Sequence, residues 1–322
     1  MPWRIKERNR NIQWNRPFSG PATYFSHNLR LGVVMQTKSP DTAILLLSCL
    51  DTQGIVSDVS HFIFTYGGNI LDSNQHSDVQ THTFFMRVEW ELSKFKIPQE
   101  KIAQAFEPIA LKFGMNFKIQ FSNTLTRLAI FVSQYDHCLY DLILRNREGE
   151  THAEICLIIG NHPQMKEIAD SFGLPFHYTP MTKETKDEVE NQQIALLKEH
   201  QIDLVVLARY MQILSPRFIE EFPNTIINIH HSFLPAFIGA KPYHQAYARG
   251  VKIIGATSHY VTQELDQGPI IEQDVTRISH RDSVRTLVIK GRNLEKIVLS
   301  KAVKLHLEHR VLPHGNKTVV FE

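Results

Sequence analysis

The chain has 322 residues, enough for one large domain or two of ordinary size. Apolar residues make up 43% and charged residues 21%, the composition of a globular protein, and a formal net charge of +2 gives no general case for a nucleic-acid or membrane partner. Cys49, Cys138 and Cys156 are odd in number and lack CxxC spacing, so they read as small buried apolar residues in a reducing compartment; no apolar run is long enough to span a bilayer.

Residues 1–34 differ from the rest. Arg4, Lys6, Arg8, Arg10, Arg16 and Arg30 face the single acid Glu7, with no apolar core of the kind a secretory signal needs. An organellar transit segment has this character. A disordered extension, or a start assigned too early with Met35 as the true start, fits better.

Ala43 to Leu50 is a continuous apolar run, a buried strand, closed by the turn Asp51-Thr-Gln-Gly54. Ile55, Val59, Phe62 and Ile63 then recur at a helical period, and Gly67-Gly68 stops that helix. Asn69–Ser77 and Thr81–Glu89 read as two strands, Ile102–Phe113 as a helix and Asn116–Phe121 as a strand. The order β-α-β-β-α-β over residues 42–121 predicts a ferredoxin-like unit. Asp51-x-x-Gly54-Ile55-Val56 and Gly67-Gly68-Asn69-Ile70 resemble the ACT regulatory domain. That resemblance implies an effector site at Asp51, Gly54 and Ile55, where helix N-terminal amides are free. A role in dimerisation alone stands equally open.

Residues 122–127 form a polar joint, and from Leu128 strands alternate with helices. Strands are expected at Leu128–Val132, Ala153–Ile159, Phe176–Thr179, Leu204–Leu207, Ile226–Ile229, Ile253–Tyr260 and Ile270–Val275. Helices are expected around Leu139–Leu144, Gln164–Phe172, Lys183–His200 and Ser283–His309, the last with a possible kink at Gly291. The fold class is therefore α/β: a ferredoxin-like unit followed, over 128–322, by a doubly wound, mostly parallel, Rossmann-like domain. The segment 311–322 reads as a short tail.

The stretch Ile226 to Gly239 carries the chemistry. Asn228 and His230 are two apart in a strand, so they share a face, and they stand at its carboxyl end, where open α/β sheets bind ligands. Asp266 lies in the turn Glu264-Leu-Asp-Gln-Gly-Pro269, at the end of a later strand. Alone, such an Asp is a turn former more often than a catalyst. Together, an amide, an imidazole and a carboxylate suit acyl chemistry at a formyl carbon. Asn228 can donate to an oxyanion, His230 can stabilise it or protonate the leaving nitrogen, and Asp266 can hold His230 charged. No Gly-x-Ser-x-Gly elbow surrounds Ser232. His230 and His231 would point to opposite faces if extended, so no metal site is expected.

Asn228-x-His230-x-Ser232-x-Leu234-Pro235, with Gly239 and Asp266-x-Gly268-Pro269, resembles the catalytic core of the folate-dependent formyltransferase family. The resemblance runs from about Leu128 to the C-terminus and implies a catalytic trio of Asn228, His230 and Asp266. It also implies a pterin pocket at Met211, Gln212, Ile213 and Leu214, and at His259, Val261 and Thr262. Read without it, Leu207 to Met211 is only a strand end entering a loop.

Within the family, the glycinamide ribonucleotide enzyme cradles phosphate in a glycine-rich loop. The matching stretch here, Ser133 to Leu139, has no glycine and carries Asp136. A basic RNA-binding domain of the methionyl-tRNA kind has no counterpart. The hydrolytic branch, which joins an ACT domain to this core, resembles the chain from about Met35. It implies hydrolysis of (6R)-10-formyltetrahydrofolate to formate and tetrahydrofolate, supplying formate and balancing the one-carbon pools that feed purine biosynthesis. It further implies no tightly bound cofactor, a cytoplasmic homo-oligomer, and amino-acid effectors such as methionine or glycine. Two other readings stay open: transfer to an unidentified amine, and a non-catalytic folate- or amino-acid-binding regulator. Against the second, a dead enzyme would be expected to have lost one of the trio.

Overall fold

A computed structural model describes residues 41–235 and 242–322; the basic segment 1–34 and Gly239 lie outside the described residues. The apolar run at the start becomes β1 (Thr42–Leu50), followed by α1 (Ile55–Thr65), β2 (Asn69–Asp78), β3 (Thr83–Glu91), α2 (Ile102–Phe113) and β4 (Asn116–Phe121). The four strands make an antiparallel sheet in the order β2-β3-β1-β4. Both helices cover one face because their apolar residues recur every turn: Ile55, Val59, Phe62 and Ile63 on α1, and Ile102, Phe106 and Ala110 on α2.

β3 is buried on both faces. Phe84, Met86, Val88 and Trp90 join the helix-covered core, while Arg87, 2% exposed, points the other way. Its guanidinium donates to the carbonyls of His309 (3.1 Å) and Glu308 (3.3 Å) and pairs with Asp72 (2.7 Å) and Glu89 (2.8 Å). It thus caps the C-terminus of the chain's longest described helix, where unpaired carbonyls attract a cation. Residues 40–322 accordingly form one compact unit.

The second sheet starts at Thr126, so the polar joint is shorter than the sequence suggests. Its chain order is β5 (Thr126–Val132), α3 (His137–Arg147), β6 (Ala153–Gly160), α4 (Met165–Ser171), β7 (Phe176–Tyr178), α5 (Lys186–Glu199), β8 (Leu204–Ala208), α6 (Pro216–Glu221), β9 (Ile226–His230), α7 (Pro242–Arg249), β10 (Ile253–Tyr260), β11 (Ile270–Arg277) and α8 (Val284–Leu307). The strand order is β11-β10-β9-β8-β5-β6-β7, with the β9–β10 and β10–β11 pairs antiparallel and the other pairs parallel. The order reverses between β5 and β8, the switch point at which such sheets bind ligands.

Alternation along each strand feeds two cores. Leu128, Ile130 and Val132 face one side with α3, α4 and α8, while Ala129 and Phe131 face the side covered by α5 and α6. α6 and α7 escape a periodicity reading because they are only six and eight residues long. Segment 311–322 is not a plain tail: β12 (Val311–His314) and β13 (Lys317–Val320) form a hairpin. α8 runs unbroken through Gly291, which is there for packing: a Cβ would lie 2.1 Å from the Tyr243 hydroxyl. Among the described residues no helix is long and apolar enough to cross a membrane.

Three imidazoles are held neutral, chiefly by burial. His231 is lowered to about 4, helped by Arg209 and His230; His306 to about 3, helped by His309 and Lys118; His309 to about 4, helped by Lys118 and Arg87. Unfolded, each takes up a proton below about pH 6.5. Unfolding in acid therefore binds protons, and stability falls as the pH drops from about 6.5 towards 4. Thermal melts across that window should show a steadily falling Tm; a Tm constant from pH 6.5 to 4.5 would contradict these burials.

Candidate active site

β9 ends at the mouth of a cavity of about 600 Å³ beside the switch point. Asn228 and His230 share the face of β9 that carries Ile226, and both line the cavity. β10 pairs with β9 so that His259 stands directly opposite Asn228. The His259 Nδ1 lies 2.9 Å from the Tyr260 carbonyl, which can only accept, so Nδ1 carries the hydrogen. Its Nε2 then accepts from the Asn228 amide at 3.3 Å. One N–H of Asn228 is thereby fixed, and the other is left for a ligand oxygen.

Asp266 returns over this pair from the connection between β10 and β11. Its Oδ2 is 3.2 Å from His230 Nδ1, and its Oδ1 is 3.7 Å from His259 Nε2. The backbone of Asp266 sits at φ 55, in the left-handed region. Gly268 makes the turn possible: a Cβ there would lie 1.8 Å from the Tyr260 carbonyl oxygen. Burial by itself would raise the Asp266 carboxyl, but the His230 imidazole on Oδ2 outweighs it and holds the group well below the usual carboxylate range. With Nδ1 engaged, the buried Nε2 of His230 has no hydrogen-bond partner among the described residues.

His231 departs from the expected geometry. The strand ends at His230 and the chain bends, so the two-residue alternation no longer applies. The two rings stack instead, with centroids 5.1 Å apart and planes at 25°. Arg209 NH1 lies 2.6 Å from His231 Nδ1, and Arg209 also approaches Glu295 at 3.4 Å. Glu295 further meets His137 Nε2 (2.7 Å) and the Tyr243 hydroxyl (2.5 Å). The guanidiniums of Arg209 and Arg292 both lie over the Tyr135 ring, at 5.4 and 5.1 Å.

All seven residues expected to hold the pterin line this cavity: Met211, Gln212, Ile213, Leu214, His259, Val261 and Thr262. The Met211 amide is anchored by Ser133 Oγ at 3.0 Å, and the Ser215 amide by the buried Glu190 at 3.0 Å, so the loop is pinned at both ends. Asp51, Gly54 and Ile55 lie elsewhere, at the turn into α1; Gly54 takes φ 100, Asp51 is exposed and Ile55 is buried. His137, Cys138 and Glu295 bring donor atoms within 4.8 Å of one another. The Cys138 thiol is held protonated by burial and by Glu295, while Arg209, His137 and Tyr243 already engage that carboxylate. This donor set suits a hydrogen-bond network better than an ion.

The sequence pattern assigns no site role to Arg209, Glu295, His137 or Tyr243. Glu295 alone left a signal, as a charge on the apolar stripe of α8 marked by Leu287, Gly291, Leu294 and Val298.

Residues 126–303 match the formyl transferase family. The formyltetrahydrofolate deformylase of Synechocystis sp. is 55% identical over 280 residues, 87% of this chain and 98% of that protein. That of Bacillus subtilis is 50% identical over 282 residues, 87% of this chain and 94% of that protein. The crystal structure of a formyltetrahydrofolate deformylase from Pseudomonas syringae pv. tomato superposes with a TM-score of 0.87 at 44% identity, covering 89% of this chain and 96% of that one.

Because the Gly268 Cα sits against a β10 carbonyl, Gly268→Ala should push the Asp266 turn away from His230. A displacement of about 1 Å costs on the order of 100-fold in rate. Turnover of Gly268→Ala is expected to fall to that extent with the fold retained by circular dichroism; wild-type turnover would show that the turn does not position Asp266.

Proposed function

This chain belongs to the formyltetrahydrofolate deformylases of the formyl transferase family, and from that premise we propose that Asn228, His230 and Asp266 carry its hydrolysis of 10-formyltetrahydrofolate. The observation behind the assignment is the meeting of these three side chains at one cavity, with His230 Nδ1 on the Asp266 carboxylate and its buried Nε2 without a partner among the described residues.

The apolar side of the cavity, with Met211, Ile213, Leu214 and Val261, suits the flat pterin ring, and backbone groups of residues 212–214 suit its polar edge. The formyl group then stands at the trio. Water adds to the formyl carbon; a C–O bond forms and the carbonyl electron pair moves to oxygen. The free N–H of Asn228 and the Nε2–H of protonated His230 donate to that oxyanion. Asp266 stabilises the imidazolium through Nδ1 and orients the water. Its depressed carboxyl makes it a better anchor than base. The proton given up by the attacking water passes to the nitrogen; the oxyanion then re-forms the carbonyl as the C–N bond breaks, giving tetrahydrofolate, and the released formic acid ionises to formate. The folate is substrate and product, and the reading needs no tightly bound cofactor.

The reading extends to the N-terminal unit. Its resemblance to ACT domains and the glycine-dependent turn at Gly54 support a regulatory role, with small amino acids such as methionine or glycine meeting Asp51, Gly54 and Ile55, in a homo-oligomer. The buried free thiols Cys49, Cys138 and Cys156 support a reducing, cytoplasmic setting.

Purified protein incubated with 10-formyltetrahydrofolate and no amine should release formate and tetrahydrofolate in equal amounts. His230→Ala and Asp266→Asn should each lower kcat by about 1000-fold while keeping the fold. Release that requires an added amine would instead make the protein a transferase, and near-wild-type turnover of either variant would remove that residue from the mechanism.

A further inference from the structure

One buried carboxylate in the cavity has no part in the steps above. Glu295 is 1% exposed and sits on α8, one turn after the Gly291 that admits the Tyr243 ring. Its Oε1 accepts from the Tyr243 hydroxyl at 2.5 Å; its Oε2 lies 2.7 Å from His137 Nε2 and 3.4 Å from Arg209 Nε. Arg209, itself 9% exposed, carries the connection onward, donating to His231 Nδ1 at 2.6 Å. His231 in turn covers the face of His230, ring on ring. Contacts thus run without a gap from Glu295 to the imidazole that meets the substrate.

The charges follow the same route. Asp266, His259 and His231 face His230, with Arg209 behind His231. Facing Glu295 are His137 and Cys138 from α3, Arg209 after β8 and Tyr243 from α7, with Arg292 and Lys296 on α8 itself. A protonated His230 would therefore share a buried site with a guanidinium. Left uncompensated, that guanidinium would oppose the second positive charge. Glu295 cancels it. His231, kept neutral by burial and Arg209, supplies a stacking wall that adds no charge.

We propose that Glu295 is a positioning residue for the hydrolysis: it neutralises and orients Arg209, which fixes His231 against His230, so that His230 keeps both its proton and its aim. The proposal rests on His230 being the reacting imidazole, and its test separates the two. The His230 ring signal is assigned by its loss in His230→Asn and titrated by NMR in each variant, independently of activity. In Glu295→Gln the midpoint should fall by about one pH unit. Its kcat should drop about tenfold or more, with KM within about twofold. Removing Arg209 as well, in Glu295→Gln/Arg209→Gln, should return the midpoint towards wild type. Glu295→Asp keeps the charge on a shorter arm, so it should keep the midpoint and lose rate.

A midpoint unmoved in folded Glu295→Gln, or a double variant shifted as far as the single one, would overturn the proposal. If Glu295→Gln does not fold, Glu295→Asp decides: wild-type kcat overturns the positioning role, and a reduced kcat at an unchanged midpoint supports it. Wild-type turnover by His230→Asn would instead remove the reading on which the proposal stands.

Discussion

The antiparallel pairing of β10 with β9 is the constraint on which the site depends. A strand that ended the parallel sheet at β9 would leave Asn228 and His230 at an open edge. With β10 alongside, His259 is set opposite Asn228 and locks its amide, and the connection to β11 must turn back over the same strand end. That return carries Asp266 onto His230. Its tightness comes from Gly268 lying against the Tyr260 carbonyl, so the Asp266 carboxylate is held by backbone packing more than by its own flexible side chain.

Electrostatics then divides the titratable side chains by task. Asp266 is half-buried yet anionic because the His230 imidazole meets it. His231 is half-buried and neutral because loss of water around the ring disfavours its charge and the Arg209 guanidinium beside it adds to that. Glu295 is buried too, and there the His137 ring, Arg209 and the Tyr243 hydroxyl overcome the burial that would otherwise raise it. Two carboxylates thus bracket a cluster of cationic and near-neutral nitrogens, a low-dielectric arrangement that serves a reaction whose charge appears on one oxygen.

The N-terminal unit is tied to this machinery mechanically. Arg87 of β3 caps the carbonyls at the end of α8, and α8 carries Glu295. The same end of α8 holds His306, which meets the hydroxyl of Tyr260 at 2.7 Å, and Tyr260 is the residue Gly268 packs upon.

Much of this was determined by the sequence alone. The apolar runs and their alternation set the order of strands and helices, because burial on two faces admits only apolar residues at successive positions. The two-residue spacing of Asn228 and His230 placed them on one face, since strand geometry is local. Asp266 was legible only through its company, as a turn residue at a matching strand end. Tertiary structure decided the rest. That His231 stacks on His230 depends on a bend after the strand; that His259 meets Asn228 depends on register between strands. Arg209, His137, Tyr243 and Glu295 come from four separate elements, and only close packing of α3, α7 and α8 around the switch point brings their charges within a few ångströms. The periodicity of one segment records which side is buried, and it carries no record of which charge from another segment will be waiting there.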